Sequence, residues 1–205
     1  MKIDLKRLST QEKLESELTR ALAQELPFTR RPVSAQAGAA ASVLALFGIF
    51  KNEPSLLITK RTDHVDHHKG QMAFPGGVRE PEDPDDIATA LRETDEETGI
   101  SGKIIEVIGV LPKLSTFTGF VVTPVIGVLL LSTENIVLSL NHHEIEEAFW
   151  VPLSQLLAPG VYREEYIQIG QARYPIAVFE WASYRIWGAT GVMIKNLLDR
   201  LESLS

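Results

Sequence analysis

Between residues 76 and 100 a pair of glycines leads into a segment that crowds three glutamates onto little more than one helical turn. Pro84 near the start and Gly99 at the end bracket a helix expected from about Asp85 to Glu97. Glu93 lies three residues from Glu96 and four from Glu97, which places all three carboxylates on one face. Left alone they repel one another. Arg92 relieves part of that repulsion, and a divalent cation held by carboxylate oxygens relieves more, a donor set that suits Mg²⁺ or Mn²⁺. The competing reading is a charged, solvated helix face. Gly76 and Gly77 weigh against it, because glycine lets backbone approach a ligand or fold tightly beneath a helix.

The rest of the chain supplies a framework for such a helix. Its 205 residues are 44% hydrophobic, enough for one packed core, and we expect a single domain over 1–205 with a helical extension at about 8–25. Ser9 and Glu12 resemble a capping box, and Leu14, Leu18, Ala21 and Leu22 give the following helix an apolar face, either for the domain itself or for a homodimer partner. After a connector at Pro27 to Gly38, residues Ala41 to Phe50 and Ser55 to Lys60 are expected to form a hairpin around Asn-Glu-Pro. Further strands are expected at Gln71 to Phe74, Ile104 to Leu111, Phe120 to Leu131 and Asn135 to Leu140. Leu153 to Leu157 reads as a short helix, Tyr174 to Glu180 and Tyr184 to Trp187 as extended, and Val192 to Leu204 as a helix. Strands alternating with a few helices indicate an α/β fold, with helices covering a curved sheet.

Composition narrows the partners. A net charge of -7 disfavours an extended nucleic acid. The absence of cysteine removes disulfides, thiolate metal sites and cysteine nucleophiles. The longest apolar run, Val121 to Leu131, is too short to span a bilayer, and the N-terminal segment lacks the apolar stretch of a secretion signal, so a cytoplasmic protein is expected. His64, His67 and His68 lack the companions of a zinc site, and His142 and His143 read as surface residues. Tyr162, Tyr166, Phe179 and Trp181 are candidates to stack on a base, set against an ordinary packing role.

The segment from Gly76 to Ile100 resembles the box of the Nudix hydrolases. Arg92, Glu93, Glu96, Glu97, Gly99 and Ile100 match its second half, with Thr94 where a hydrophobic residue is usual. Asp83 stands at the place of the first glutamate, with one residue more than usual between it and Arg92. That insertion, the run Leu56 to Thr62, His68, Gly70-Gln71 and Phe74 to Gly77 resemble the coenzyme A pyrophosphatase branch, as do Phe149 to Leu153 and Ile186 to Gly191. Asp66 stands where that branch carries an arginine, which keeps ADP-ribose and nucleoside diphosphate sugars open as substrates.

The resemblance implies an α/β/α sandwich with a curved mixed sheet, and Mg²⁺- or Mn²⁺-dependent hydrolysis of a small nucleoside diphosphate derivative. It implies metal ligation by Glu93, Glu96 and Glu97 with the Gly77 backbone, and substrate contacts from Lys60, Arg61, His68 and Gly76. Arg92 is expected to pin the box by ion pairing. Glu147, then Glu144, are the candidates for the catalytic base. A nucleotide sensor that keeps the box as architecture is the non-enzymatic alternative.

Overall fold

Two long apolar segments, β1 (Ala39–Phe50) and β2 (Glu53–Arg61), organise the main sheet in the computed structural model, which describes residues 2–24, 38–63 and 70–204. They pair antiparallel only over Phe47–Phe50 and Glu53–Leu56, around a turn in which Lys51 and Asn52 have φ of 50° and 64°. The turn is therefore Lys51-Asn52 rather than Asn-Glu-Pro, since left-handed residues match the twist of a two-residue hairpin. Glu53 and Pro54 already belong to β2.

Beyond that short pairing, β1 and β2 diverge. β3 (Met72–Ala73) pairs with β2, while β4 (Gly76–Val78) pairs with β1 through Ser42↔Gly77 and Val43↔Gly76. Phe74 and Pro75 cross between them, and the Leu44 N–H donates to the Pro75 carbonyl at 2.8 Å. The glycine turn thus fills a split in the sheet. β5 (Ile105–Val110), β6 (Leu114–Ser115) and β7 (Phe120–Leu129) continue the sheet beyond β1, and β8 (Ile145–Pro152) joins the far side of β2. The β1–β7 pair is parallel and the others are antiparallel, so the sheet is mixed.

Helices cover both faces. On one face α2 (Asp86–Thr98) packs Ala90, with Ile87 and Leu91, onto Leu44, Leu46, Leu57 and Val125. On the other, α1 (Gln11–Leu22), α3 (Leu153–Leu156) and α4 (Gly188–Glu202) join a second sheet of β9 (Tyr162–Ile169), β10 (Ala172–Trp181) and β11 (Tyr184–Ile186) over Phe47, Leu56, Ile58 and Val128. The fold is α/β with an open mixed sheet. Among the described residues, no helix is long and apolar enough to cross a membrane.

Several boundaries differ from expectation. The N-cap of α1 is Thr10, whose hydroxyl accepts from the Lys13 N–H, and not Ser9. α2 runs from Asp86 to Thr98, one residue later at each end than expected, with Asp85 as its N-cap. Asn135 to Leu140 contains no strand; this stretch instead closes the end of α2, with the Ser139 N–H on the Thr98 carbonyl and the Asn141 N–H on the Glu97 carbonyl. Such partners are what the last carbonyls of a buried helix end require. The connector at Pro27 to Gly38, apart from Gly38, lies outside the described residues.

Candidate active site

The Asp85 side chain accepts from the Ala88 N–H to start α2, and Gly99, at φ 73°, ends it in the left-handed conformation. A helix held at both ends presents its last turn to the split in the sheet. Thr94, the unusual member of the box, is fully buried and donates its hydroxyl to the Ala90 carbonyl at 2.7 Å. That bond satisfies the hydroxyl within the helix, so threonine occupies an apolar position without an unpaired polar group.

Glu97 lies at the centre. Its side chain is 2% exposed, yet it receives the Arg61 guanidinium at 3.0 Å and the Gly76 N–H at 3.2 Å. Burial pushes its carboxyl up to about 8, against the opposing pull of Arg61 and Gly76, while Glu93 and Glu144 add repulsion. Glu93 is raised as well, first by burial and then by Glu96 and Glu144, with Arg92 opposing. Arg61 also reaches Glu144 at 3.5 Å, so one guanidinium joins strand, helix and the Glu144 segment.

Arg92 forms the second crosslink. Its Nε and Nη2 donate to the two Asp83 oxygens at 3.0 and 2.9 Å, and it also pairs with Glu93 and with Glu96, each at 3.0 Å. Asp83 is further held by the Thr89 hydroxyl and the Glu80 N–H, both at 3.0 Å. Glu96 is the exposed member of the group.

Strand alternation separates the two base candidates. Glu147 shares a face with Phe149 and Val151, opposite α2, where Lys60 and the Tyr184 hydroxyl contact it. Glu144 lies instead beside Arg61 and within electrostatic reach of Glu93 and Glu97. Lys60 pairs with Glu146 at 2.9 Å, and Arg61 alone of the two basic residues touches α2. His68 and Asp66 lie outside the described residues. Tyr184 was not singled out for the site from sequence, because its link to Glu147 crosses 37 positions.

The candidate stacking residues have packing or hydrogen-bond partners of their own. Phe179 is fully buried and packs against Tyr162, the Trp181 indole N–H donates to Gln155, and Tyr166 carries Arg173 over its ring.

Whether these residues suit a hard divalent cation can be tested on the structure. Among the described residues no three acidic or imidazole side chains already form a finished cage, since Arg61 and Arg92 are interleaved with the carboxylates. The surroundings nevertheless fit. A Cβ on Gly77 would meet the Glu93 carboxylate at 2.5 Å, so glycine lets the backbone lie against that group where it stands and a side chain there would displace it. Ser42, paired with Gly77 across the sheet, has a buried hydroxyl oxygen with no hydrogen-bond partner. Oxygen-only donors, repelling buried carboxylates and an unsatisfied hydroxyl match a site for Mg²⁺ or Mn²⁺ rather than for a softer metal.

The NUDIX domain family model matches residues 39–169. An uncharacterized Nudix hydrolase, NudL, of Yersinia enterocolitica is 36% identical over 154 residues, covering 75% of this chain and 77% of that protein. The NudL protein of Yersinia pestis is 35% identical, covering 75% and 76%. A MutT/nudix family protein from Enterococcus faecalis superposes with a TM-score of 0.50 at 16% identity, covering 95% of this chain and 75% of that one, a likeness of fold. With its box folded as a helix against a split mixed sheet, this chain belongs to the Nudix hydrolases and is a diphosphatase of that family.

Proposed function

We propose that the chain hydrolyses the diphosphate linkage of coenzyme A or a related nucleoside diphosphate derivative, with Glu93, Glu96 and Glu97 holding Mg²⁺ or Mn²⁺ beside the Gly77 backbone. The observation that carries this reading is the buried Glu97, fixed by Arg61 and the Gly76 N–H and repelled by Glu93 and Glu144. The divalent cation, when bound, supplies charge for the diphosphate oxygens and lowers the pKa of the attacking water. Arg61 orients Glu97 and Glu144 together. Glu144 then takes the proton of the water, a role its position favours over Glu147. Arg92 keeps the acidic loop against α2 and makes no contact with the reacting phosphorus.

Coenzyme A is favoured by the one-residue insertion and the upstream pattern, and Asp66 favours keeping ADP-ribose in the same comparison. The test is a panel of coenzyme A, ADP-ribose, nucleoside diphosphate sugars and dinucleotides, incubated with Mg²⁺, with Mn²⁺ or with chelator, and product masses determined. Metal-dependent cleavage within the diphosphate is expected, with coenzyme A yielding phosphopantetheine and adenosine 3′,5′-bisphosphate. Glu97→Gln should lower kcat by about 10²-fold or more. Glu144→Gln should lower it by about 10²–10⁴-fold, the range of a lost general base, with Glu147→Gln closer to wild type. Saturable nucleotide binding without any turnover would favour a sensor instead.

A further inference from the structure

Across the sheet from α2, an open cleft of about 610 Å³ lies between the β2–β3 edge and β11. That volume is in the range of about 300–1,000 Å³ common for small-molecule sites. Lys60 and Met72 line one side, and Tyr184, Arg185 and Trp187 line the other. The last three lie beyond residue 169, where the match to the family model ends.

Chain adjacency connects the cleft to the carboxylate site. Lys60 lines the cleft while its chain neighbour Arg61 grips Glu97, so the two sites meet at the end of β2, beside the split filled by β3 and β4. On the cleft side, Tyr184 donates its hydroxyl to Glu147 at 3.0 Å, and Glu147 stands opposite Lys60 in the β2–β8 pairing. The adjacency of Lys60 and Arg61 thus puts the cleft and the carboxylates at one end of β2, on opposite faces of the sheet.

Charge and shape then discriminate between the parts of such a ligand. Lys60 is already paired with Glu146 at 2.9 Å and Glu147 at 3.4 Å, and Arg185 with Glu165 at 2.6 Å. The cations therefore offer little surplus charge to a further phosphate. Flat surface is what remains. Tyr184 is packed by Trp181 at 5.8 Å and Phe149 at 4.8 Å with Lys60 over its ring, which leaves the Trp187 ring, whose centroid lies 5.7 Å from the Arg185 guanidinium. A ring held in this way is ready to receive another planar group, because stacking does not depend on a specific hydrogen-bond pattern.

We propose that this cleft is the nucleobase subsite, with the base stacked on Trp187 and the ribose leading past Tyr184 and Lys60 toward Glu97. The assignment rests on the hydrolase reading above for the identity of the ligand, but its binding test does not require turnover. Adenosine monophosphate titrated calorimetrically into metal-free protein should bind saturably. Trp187→Ala and Trp187→Leu should each weaken binding about 10-fold or more, whereas Trp187→Phe should retain most of it.

In turnover, the two weakening variants should raise KM for the cleaved nucleotide by a similar factor and leave kcat within about 2-fold. Their rate on a base-free dialkyl diphosphate should match wild type. Thermal melts identify any variant that fails to fold, and the Leu and Phe pair then carries the comparison. Unchanged nucleotide affinity and KM in a folded Trp187→Leu protein would overturn the subsite while leaving the hydrolase intact. Trp187-dependent binding with no cleavage of any diphosphate would support the subsite and sink the hydrolase reading.

Discussion

Asp83 ties the loop of the box back onto its helix. It lies nine positions before Arg92, an interval at which two residues of one helix would not face each other, yet the loop folds back and delivers both carboxylate oxygens to the guanidinium. Arg92, ahead of the Glu80 N–H and the Thr89 hydroxyl, holds the Asp83 carboxyl well below the usual carboxylate range. A depressed pKa contributes stability above the unfolded value of about 3.9, and that contribution is lost as pH falls through the folded value. Urea unfolding followed between about pH 2 and 7 should therefore show Asp83→Asn less stable than wild type at neutral pH and less steeply destabilised by acid. Parallel acid slopes in the two proteins would remove Asp83 from that role. Sequence made Asp83, Arg92, Glu93 and Glu97 visible individually. It did not reveal that Arg61 spans Glu97 and Glu144, or that alternation turns Glu147 away, because both depend on the pairing of β2 with β8.

Elements were legible where their signals are local. Asp85 and Gly99 bracket α2, and the Leu14, Leu18 and Ala21 spacing marks the buried face of α1. β9 carries no comparable signal. Its residues Arg163, Glu164, Gln168 and Ile169 are exposed, and it is a strand because eight of its positions pair with β10. β8 was obscured in the same way by the acidic run at its start, although Leu56 to Lys60 hold it in register. Close packing between elements is equally hidden until the chain folds. Gly191 in α4 lies so near β10 that a Cβ there would meet the Ala177 carbonyl oxygen at 2.3 Å. Gly191→Ala must push the helix off the strand, an overpacking cost of about 1–3 kcal/mol. For a protein of this size that corresponds to a fall in Tm of about 2–12 °C. A melt within about 1 °C of wild type would show that α4 yields without strain.

At the scale of the whole molecule, the two ends of the described chain are tied together. The Arg7 guanidinium donates to the Leu204 carbonyl at 2.7 Å, the Lys2 N–H donates to Glu202, and Arg200 reaches the Gln24 carbonyl. Between these polar ties, Leu14 and Leu18 are fully buried in the cluster that contains Leu197, Leu198 and Leu201 of α4. The apolar face that sequence left open to either the domain or a second copy is therefore covered by this chain. A face buried within one chain and a face buried between two chains respond differently to dilution. Loss of the first changes stability by the same amount at every protein concentration, whereas loss of the second follows mass action. Leu18→Ala should cost about 2–5 kcal/mol, the range for emptying a leucine site in a packed core. Its urea midpoint, measured at protein concentrations differing by about 100-fold, should fall by the same amount at both. A deficit that grows on dilution would mean that α1 is held in part by another copy. An equal deficit would place the helix in the same folding unit as α4 and the sheet face it covers, behind β2, which carries Lys60 to the cleft and Arg61 to the carboxylate site.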